Sequence, residues 1–212
     1  MSSAVRPARS ENGRRDLMDI AIDCFARYGY HSTSIDRIAK AAGLTKGAIY
    51  YHFKDKEEIL FEAVKNRVSQ FERRVSGDLA PLQDAVAALR HVTEVCLEHA
   101  TASNHRRFIV TLMVEALDTN ARLSAQFRKM MHRFRAFLRG IIELGQQQGT
   151  FRADINAVTA AGVYAGAVMG AEIEYYQDPE AIDLRNTLET FLDQYLTWLR
   201  APATQSARRT QP

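Results

Sequence analysis

The sequence predicts an all-α fold, a small three-helix head followed by a larger helical body. Three observations carry this prediction. Apolar residues recur at helical spacing along almost the whole chain, no stretch alternates as a strand would, and short clusters of Gly, Pro, Asn and Asp punctuate the pattern. With 212 residues, 46% of them hydrophobic and 25% charged, the chain is long enough for one or two cores and is not of disordered composition.

Leu17, Ile20, Ala21, Cys24, Phe25 and Tyr28 follow the i, i+3, i+4, i+7 pattern of a first helix, which Gly29 ends. Thr33 or Ser34 then supplies an N-cap for a short second helix with Ile35, Ile38, Ala39 and Ala42 on one face, closed by Gly43. After the step Gly43-Leu44, Thr45 caps a third helix that turns Ile49 and Phe53 inward and leaves Lys46, Gly47, Tyr50 and Tyr51 outside. Helix, tight turn, helix is therefore the expected arrangement. Asp55 caps a longer fourth helix, whose apolar stripe is Ile59, Leu60, Ala63, Val64, Val68 and Phe71. Further helical segments are expected near 82–101, 105–118, 120–147, 154–176 and 183–200. The ends, roughly 1–9 and 202–212, read as frayed.

Charge is informative once divided. Through Lys56 there are ten Lys/Arg against six Asp/Glu, and beyond it eighteen against nineteen. The surplus sits in the head, as suits a polyanion-binding module on a neutral body. Cys24 and Cys96 lie far apart without a CxxC or Cys/His spacing, so reduced buried thiols are the reading and a zinc site has no support. The uncharged run Ala157 to Ala171 is shorter than the ~20 residues that span a bilayer. Asp16, Asp19 and Asp23 interrupt the first apolar stretch, which excludes a signal peptide reading. A cytoplasmic protein without a membrane partner is expected.

A helix that reads DNA must enter a major groove ~12 Å wide, braced by a second helix and held by donors to phosphate. The third helix and its flanks carry suitable groups. Thr45 brings a hydroxyl and backbone N–H groups to the helix tip, Gly47 permits close approach, and Lys46 reaches a guanine edge or a phosphate. Tyr50 and Tyr51 present hydroxyls on rigid stems, and His52 and Lys56 flank them as phosphate donors. The bland alternative for each is a solvated position on a three-helix corner.

The run TSIDRIAKAAGLTKGAIYYHFKDKEEIL, residues 33–60, resembles the signature of the TetR family of transcriptional regulators. The resemblance implies a homodimer whose N-terminal head (10–65) binds operator DNA, usually to repress, and whose body (66–201) dimerises and binds a small effector. It places Lys46, Gly47 and Ala48 at positions that face bases, Tyr50, Tyr51, His52 and Lys56 on phosphates or sugars, and Thr33 at the start of the supporting helix against the DNA backbone. Ala48 touches a thymine methyl but reads no hydrogen-bond pattern, which leaves a share of specificity to DNA shape. Arg6, Arg9, Arg14 and Arg15 resemble basic extensions that reach phosphate, or form a charged tail.

In the body, Leu184, Leu188, Phe191, Tyr195 and Trp198 step by 4, 3, 4 and 3, an apolar seam for helix packing. Gly162, Gly166 and Gly170 recur every fourth residue and admit a close helix backbone. The expectation is a dimer interface at the last two helices, against internal packing within one subunit. Met113, Met131, Phe134, Phe137, Tyr164 and Met169 are the candidate effector-pocket residues, against a role as ordinary core. Glu115 is a polar anchor there or an exposed acid. Arg106, Arg107, Arg128, Lys129, Arg133, Arg135 and Arg139 suit an anionic effector such as an acyl-CoA, although surface charges require no ligand.

Two rival classes compete with this reading. An enzyme is not expected: GxGxxG, P-loop, HExxH and nucleophile-elbow motifs are absent, and the six histidines show no metal-binding spacing, so neither cofactor nor metal is implied. A helical dimeric adaptor would keep the seams without needing the Lys, Tyr and His cluster around the third helix.

Overall fold

The computed structural model of the chain describes residues 11–77, 84–102 and 104–200, and among these lie nine helices and one isolated bridge, Phe151 with Arg200. In order they are α1 (Glu11–Tyr28), α2 (Ile35–Ala42), α3 (Lys46–His52), α4 (Lys56–Gly77), α5 (Ala85–Thr101), α6 (Asn104–Thr119), α7 (Ala121–Gln147), α8 (Ala157–Gln177) and α9 (Leu184–Leu199). The all-α expectation holds, and the helices fall within a few residues of the segments read from apolar period. No helix among the described residues is long and apolar enough to cross a membrane.

Packing divides the described residues into two units. One takes those within Met1–Gly77 and Glu98–Met131, the other those within Asp78–Leu97 and His132–Pro212. These units do not coincide with a head of 10–65 and a body of 66–201. Ile109, Leu112 and Ala116 of α6 and Leu123, Phe127 and Met130 of α7 share one buried cluster with Leu17, Phe25 and Leu60 of the head. Apolar burial joins what the sequence signature separates.

In the first unit the head is built around Leu17, Ala21 and Phe25 of α1, Ile38 of α2, Ile49 of α3 and Leu60 of α4, all buried. Gly43 stands at φ +64°, a conformation that other residues adopt only with strain. From it the Leu44 N–H reaches Ala39 O at 2.9 Å and the Gly43 N–H reaches Lys40 O at 3.3 Å, the paired bonds of a Schellman stop. That stop sets the turn between α2 and α3. Asp55 opens α4 by accepting from the Glu58 N–H at 2.8 Å, while Glu58 accepts from the Lys54 N–H at 2.6 Å, a reciprocal arrangement of the capping-box kind.

The second unit centres on Tyr164 of α8 and Tyr195 of α9. Tyr164 is fully buried and lies 2.6 Å from the Thr93 hydroxyl of α5, and Tyr195 donates to Ala160 O at 2.8 Å. Burial raises both phenols above their ordinary range. Gly145 of α7 is required by Phe151, whose ring occupies the space that a Cβ at that position would need.

Most of the α9 seam lies inside the chain, which corrects its expected place at a dimer interface. Leu184, Leu188 and Tyr195 are buried, along with Leu192, Leu196 and Leu199, so they pack internally and are not available to a second subunit. Phe191 is half-buried against Tyr164 and Tyr195. Trp198 remains 42% exposed, and a methyl group added at Gly162, Gly166 or Gly170 would meet nothing within 4 Å.

Candidate nucleic-acid interface

α3 is held by its two apolar residues. Ile49 and Phe53 sink into the head core, and the ring of Phe53 is also covered by the Arg14 guanidinium, 4.9 Å from its centroid. The remaining faces of this short helix must then point outward. Tyr51 is 84% exposed and Tyr50 50%, while Lys46 and Gly47 are exposed and Ala48 and His52 half-buried. The Thr45 hydroxyl caps the helix by accepting from the Ala48 N–H at 3.2 Å. Its own O–H stays available to donate. Tyr51 and His52 meet edge to face at 5.1 Å.

Lys46 is tied across the turn to α2: its Nζ lies 3.0 Å from Asp36 Oδ2. The hydrogen bond and charge of Asp36 raise the Lys46 pKa, so the ammonium stays charged. Sequence reasoning missed this pair, because the two residues lie on different helices and meet only through the turn between them.

Two assigned residues are displaced from the surface role. Thr33 is 1% exposed and its hydroxyl donates to Gly29 O at 2.7 Å and Cys24 O at 3.2 Å. It stitches α1 to the following turn and does not face DNA. Ser34 is the N-cap of α2, accepting from the Arg37 N–H at 3.2 Å. Lys56 donates to Tyr30 O at 2.9 Å and His31 O at 3.4 Å and lies 4.4 Å from the centre of the Tyr30 ring. Its ammonium braces the turn before α2 and is not a free phosphate donor in this arrangement. Of the basic N-terminal residues, Arg14 is occupied by Phe53 and by Glu62 at 3.9 Å; Arg6 and Arg9 lie outside the described residues.

The candidate effector residues separate. Met113 and Met131 pack against the buried cluster of the first unit. Phe134, Phe137 and Met169 are half-buried in the second. Tyr164 is removed from the set, because it is fully buried with its hydroxyl bonded to Thr93. Glu115 is exposed and sits 3.6 Å from His31.

A helix-turn-helix with a braced first helix and an exposed Lys, Gly and Tyr-bearing second helix defines a DNA-binding transcriptional regulator. Comparison with known proteins makes the class specific. Residues 17–63 match the profile of bacterial regulatory proteins of the tetR family, and residues 86–168 match that of the tetracyclin repressor-like C-terminal domain. The chain is 27% identical over 170 residues to the fatty acid metabolism regulator protein of Bacillus subtilis strain 168, covering 79% of this chain and 86% of that protein. A TetR transcriptional regulator from Chloroflexus aurantiacus superposes with a TM-score of 0.79 at 26% identity, over 89% of this chain and 96% of the other. FadR from Bacillus subtilis, solved in complex with stearoyl-CoA, shares the fold with a TM-score of 0.75 at 23% identity, over 87% and 98% of the two chains. The chain belongs to the TetR family of bacterial regulatory proteins.

Proposed function

We propose that this regulator is a cytoplasmic repressor that binds a palindromic operator as a homodimer and is released by a small hydrophobic or amphipathic effector of the acyl-CoA class. The carrying observation is the outward face of α3, where Lys46, Gly47, Tyr50 and Tyr51 are exposed while Ile49 and Phe53 anchor the helix. Lys46 takes the base edge or first phosphate, the tyrosine hydroxyls take phosphates, and Thr45 donates at the helix start.

Dimerisation is supported by an open face on the last two helices. Val158, Val163 and Trp198 are large apolar residues left 62%, 48% and 42% exposed, beside Gly162, Gly166 and Gly170. An apolar face with small residues on it favours close approach of a second copy. For the effector, the support is the half-buried Phe134, Phe137 and Met169, the arginines of α7, and the names of the two Bacillus relatives.

Selection of bound sequences from random duplex DNA tests the reading. Two-fold symmetric sites with half-site centres about 10 bp apart, or a multiple of it, are expected. Sites without symmetry, or no enrichment, contradict it.

A further inference from the structure

We propose that the head carries a second phosphate-binding surface, a cleft between α1 and α2 that engages duplex DNA outside the groove read by α3. This rests on the DNA-binding reading above and extends it. The cleft has a volume of about 600 Å³, and its lining includes Tyr28, three cations, Arg27, Arg37 and Lys40, and one acid, Asp23.

Two of those cations converge on one ring. The Arg37 guanidinium lies 4.3 Å from the centre of Tyr28 and the Arg27 guanidinium 5.9 Å from it, with the tyrosine itself 44% exposed. A guanidinium stacked on an aromatic face keeps its N–H edges outward and fixed, the geometry that suits two phosphate oxygens. Lys40 follows Arg37 by three residues on the exposed side of α2. Among the described residues, no ion pair is formed by Arg27, Arg37 or Lys40, whereas Lys46, Arg67 and Arg74 in the same unit each hold a carboxylate, of Asp36, Asp19 and Glu98 respectively. Holding like charges together without a counter-ion costs free energy, and a bound anion removes that cost.

The anion is a DNA backbone because the cleft adjoins the recognition helix. Arg37 is the neighbour of Asp36, and Asp36 is bonded to Lys46 at the start of α3. The cations of the cleft therefore lie on the helix that braces α3, separated from it by an Asp36 carboxylate that Lys46 neutralises. The acid, Asp23, is already turned to His105, which leaves the cations the outward-facing charge.

The test uses the full chain and a selected binding sequence in two duplexes. One ends at the borders of that sequence; the other carries about 10 bp, one helical turn, on each side. Wild type is expected to bind the longer duplex about tenfold more tightly, with a salt slope steeper by about two. Arg37→Gln/Lys40→Gln is expected to bind the short duplex as wild type does and to lose the preference for the long one. That unchanged short-duplex affinity also shows that the variant is folded. Equal binding of wild type to both duplexes, or a preference retained in the double variant, overturns the proposal. So does an equal loss on both, which places the cleft at the recognised groove. Inorganic pyrophosphate bound by wild type and not by the variant, without any duplex-length effect, overturns it in favour of a free phosphorylated ligand. Failure of wild type to bind any duplex strikes the DNA-binding reading itself and is distinguished by the short-duplex control.

Discussion

The Lys46 ammonium stands 3.0 Å from the Asp36 carboxylate, joining the tip of α3 to the second residue of α2. A lysine that reads DNA from this position must exchange that carboxylate for a base edge or a phosphate. The carboxylate also repels the backbone when Lys46 leaves it.

Lys46→Ala is therefore expected to change preference at one base pair by about 1–3 kcal/mol, read by titrating single-substituted duplexes. Asp36→Asn should raise affinity for all duplexes and relax that preference, since the lysine is then free to meet any phosphate. A uniform loss in Lys46→Ala would reassign the residue from base to phosphate.

Lys56 is expected to behave differently. With its Nζ bonded to Tyr30 O and His31 O, Lys56→Ala should lower unfolding free energy by about 1–2 kcal/mol and reduce the salt slope of DNA binding by less than one. Chemical denaturation and a salt series read the two effects. A slope reduced by a full unit with stability unchanged would show that the side chain leaves the turn for phosphate.

His99 makes the first unit sensitive to acid. Burial, followed by the charges of Arg106, Arg74, Arg67 and His105, depresses its pKa from 6.5 to about 4, and its ring packs on Phe71 at 5.0 Å. The folded-state pKa lies below the unfolded one, so between pH 6.5 and 4 the unfolded chain binds a proton that the folded chain refuses. Stability is then unaffected by this group above pH 6.5 and falls as pH drops towards 4, by about 3 kcal/mol in all. Urea unfolding of wild type and His99→Gln at pH 7, 6, 5 and 4 checks this. The wild-type curve should lose more than the variant over that window; parallel losses would show that His99 titrates normally.

Phe134 and Tyr164, which the sequence groups in one pocket, should now give different outcomes. On the proposed acyl-CoA reading, Phe134→Trp is expected to blunt release from DNA by stearoyl-CoA, the ligand in the Bacillus subtilis FadR structure, a coupling of typically 5- to 150-fold, while affinity without ligand stays close to wild type. Tyr164→Trp should instead destabilise the fold by about 1–3 kcal/mol, because a fully buried side chain leaves no room for a larger one. Operator titrations with and without stearoyl-CoA separate them, and an unchanged response in Phe134→Trp removes that residue from the effector site.

Much of the architecture is legible in local pattern. The glycine stop at Gly43, the Thr45 cap and the inward pair Ile49 and Phe53 are short-range signals, and each lies where the sequence puts it. What stays hidden depends on which surfaces meet. Thr33 and Ser34 are equivalent caps by sequence, and the choice is made by the Cys24 and Gly29 carbonyls that claim the Thr33 hydroxyl. Likewise, a 4-3 spacing on α9 specifies one buried stripe but not its partner, and Tyr195 bonding to Ala160 within the chain supplies the answer.

On the proposed reading, DNA recognition by this chain rests on the exposed face of α3. The measurement is a salt titration of the selected duplex against wild type and the triple variant Lys46→Ala/Tyr50→Ala/Tyr51→Ala. Wild type is expected to bind with steep salt dependence and sequence preference. The variant is expected to bind no tighter than to an unrelated duplex, with its thermal midpoint unchanged because these side chains are exposed. Equal affinity of the two proteins for the selected duplex would contradict a DNA-reading role for this face.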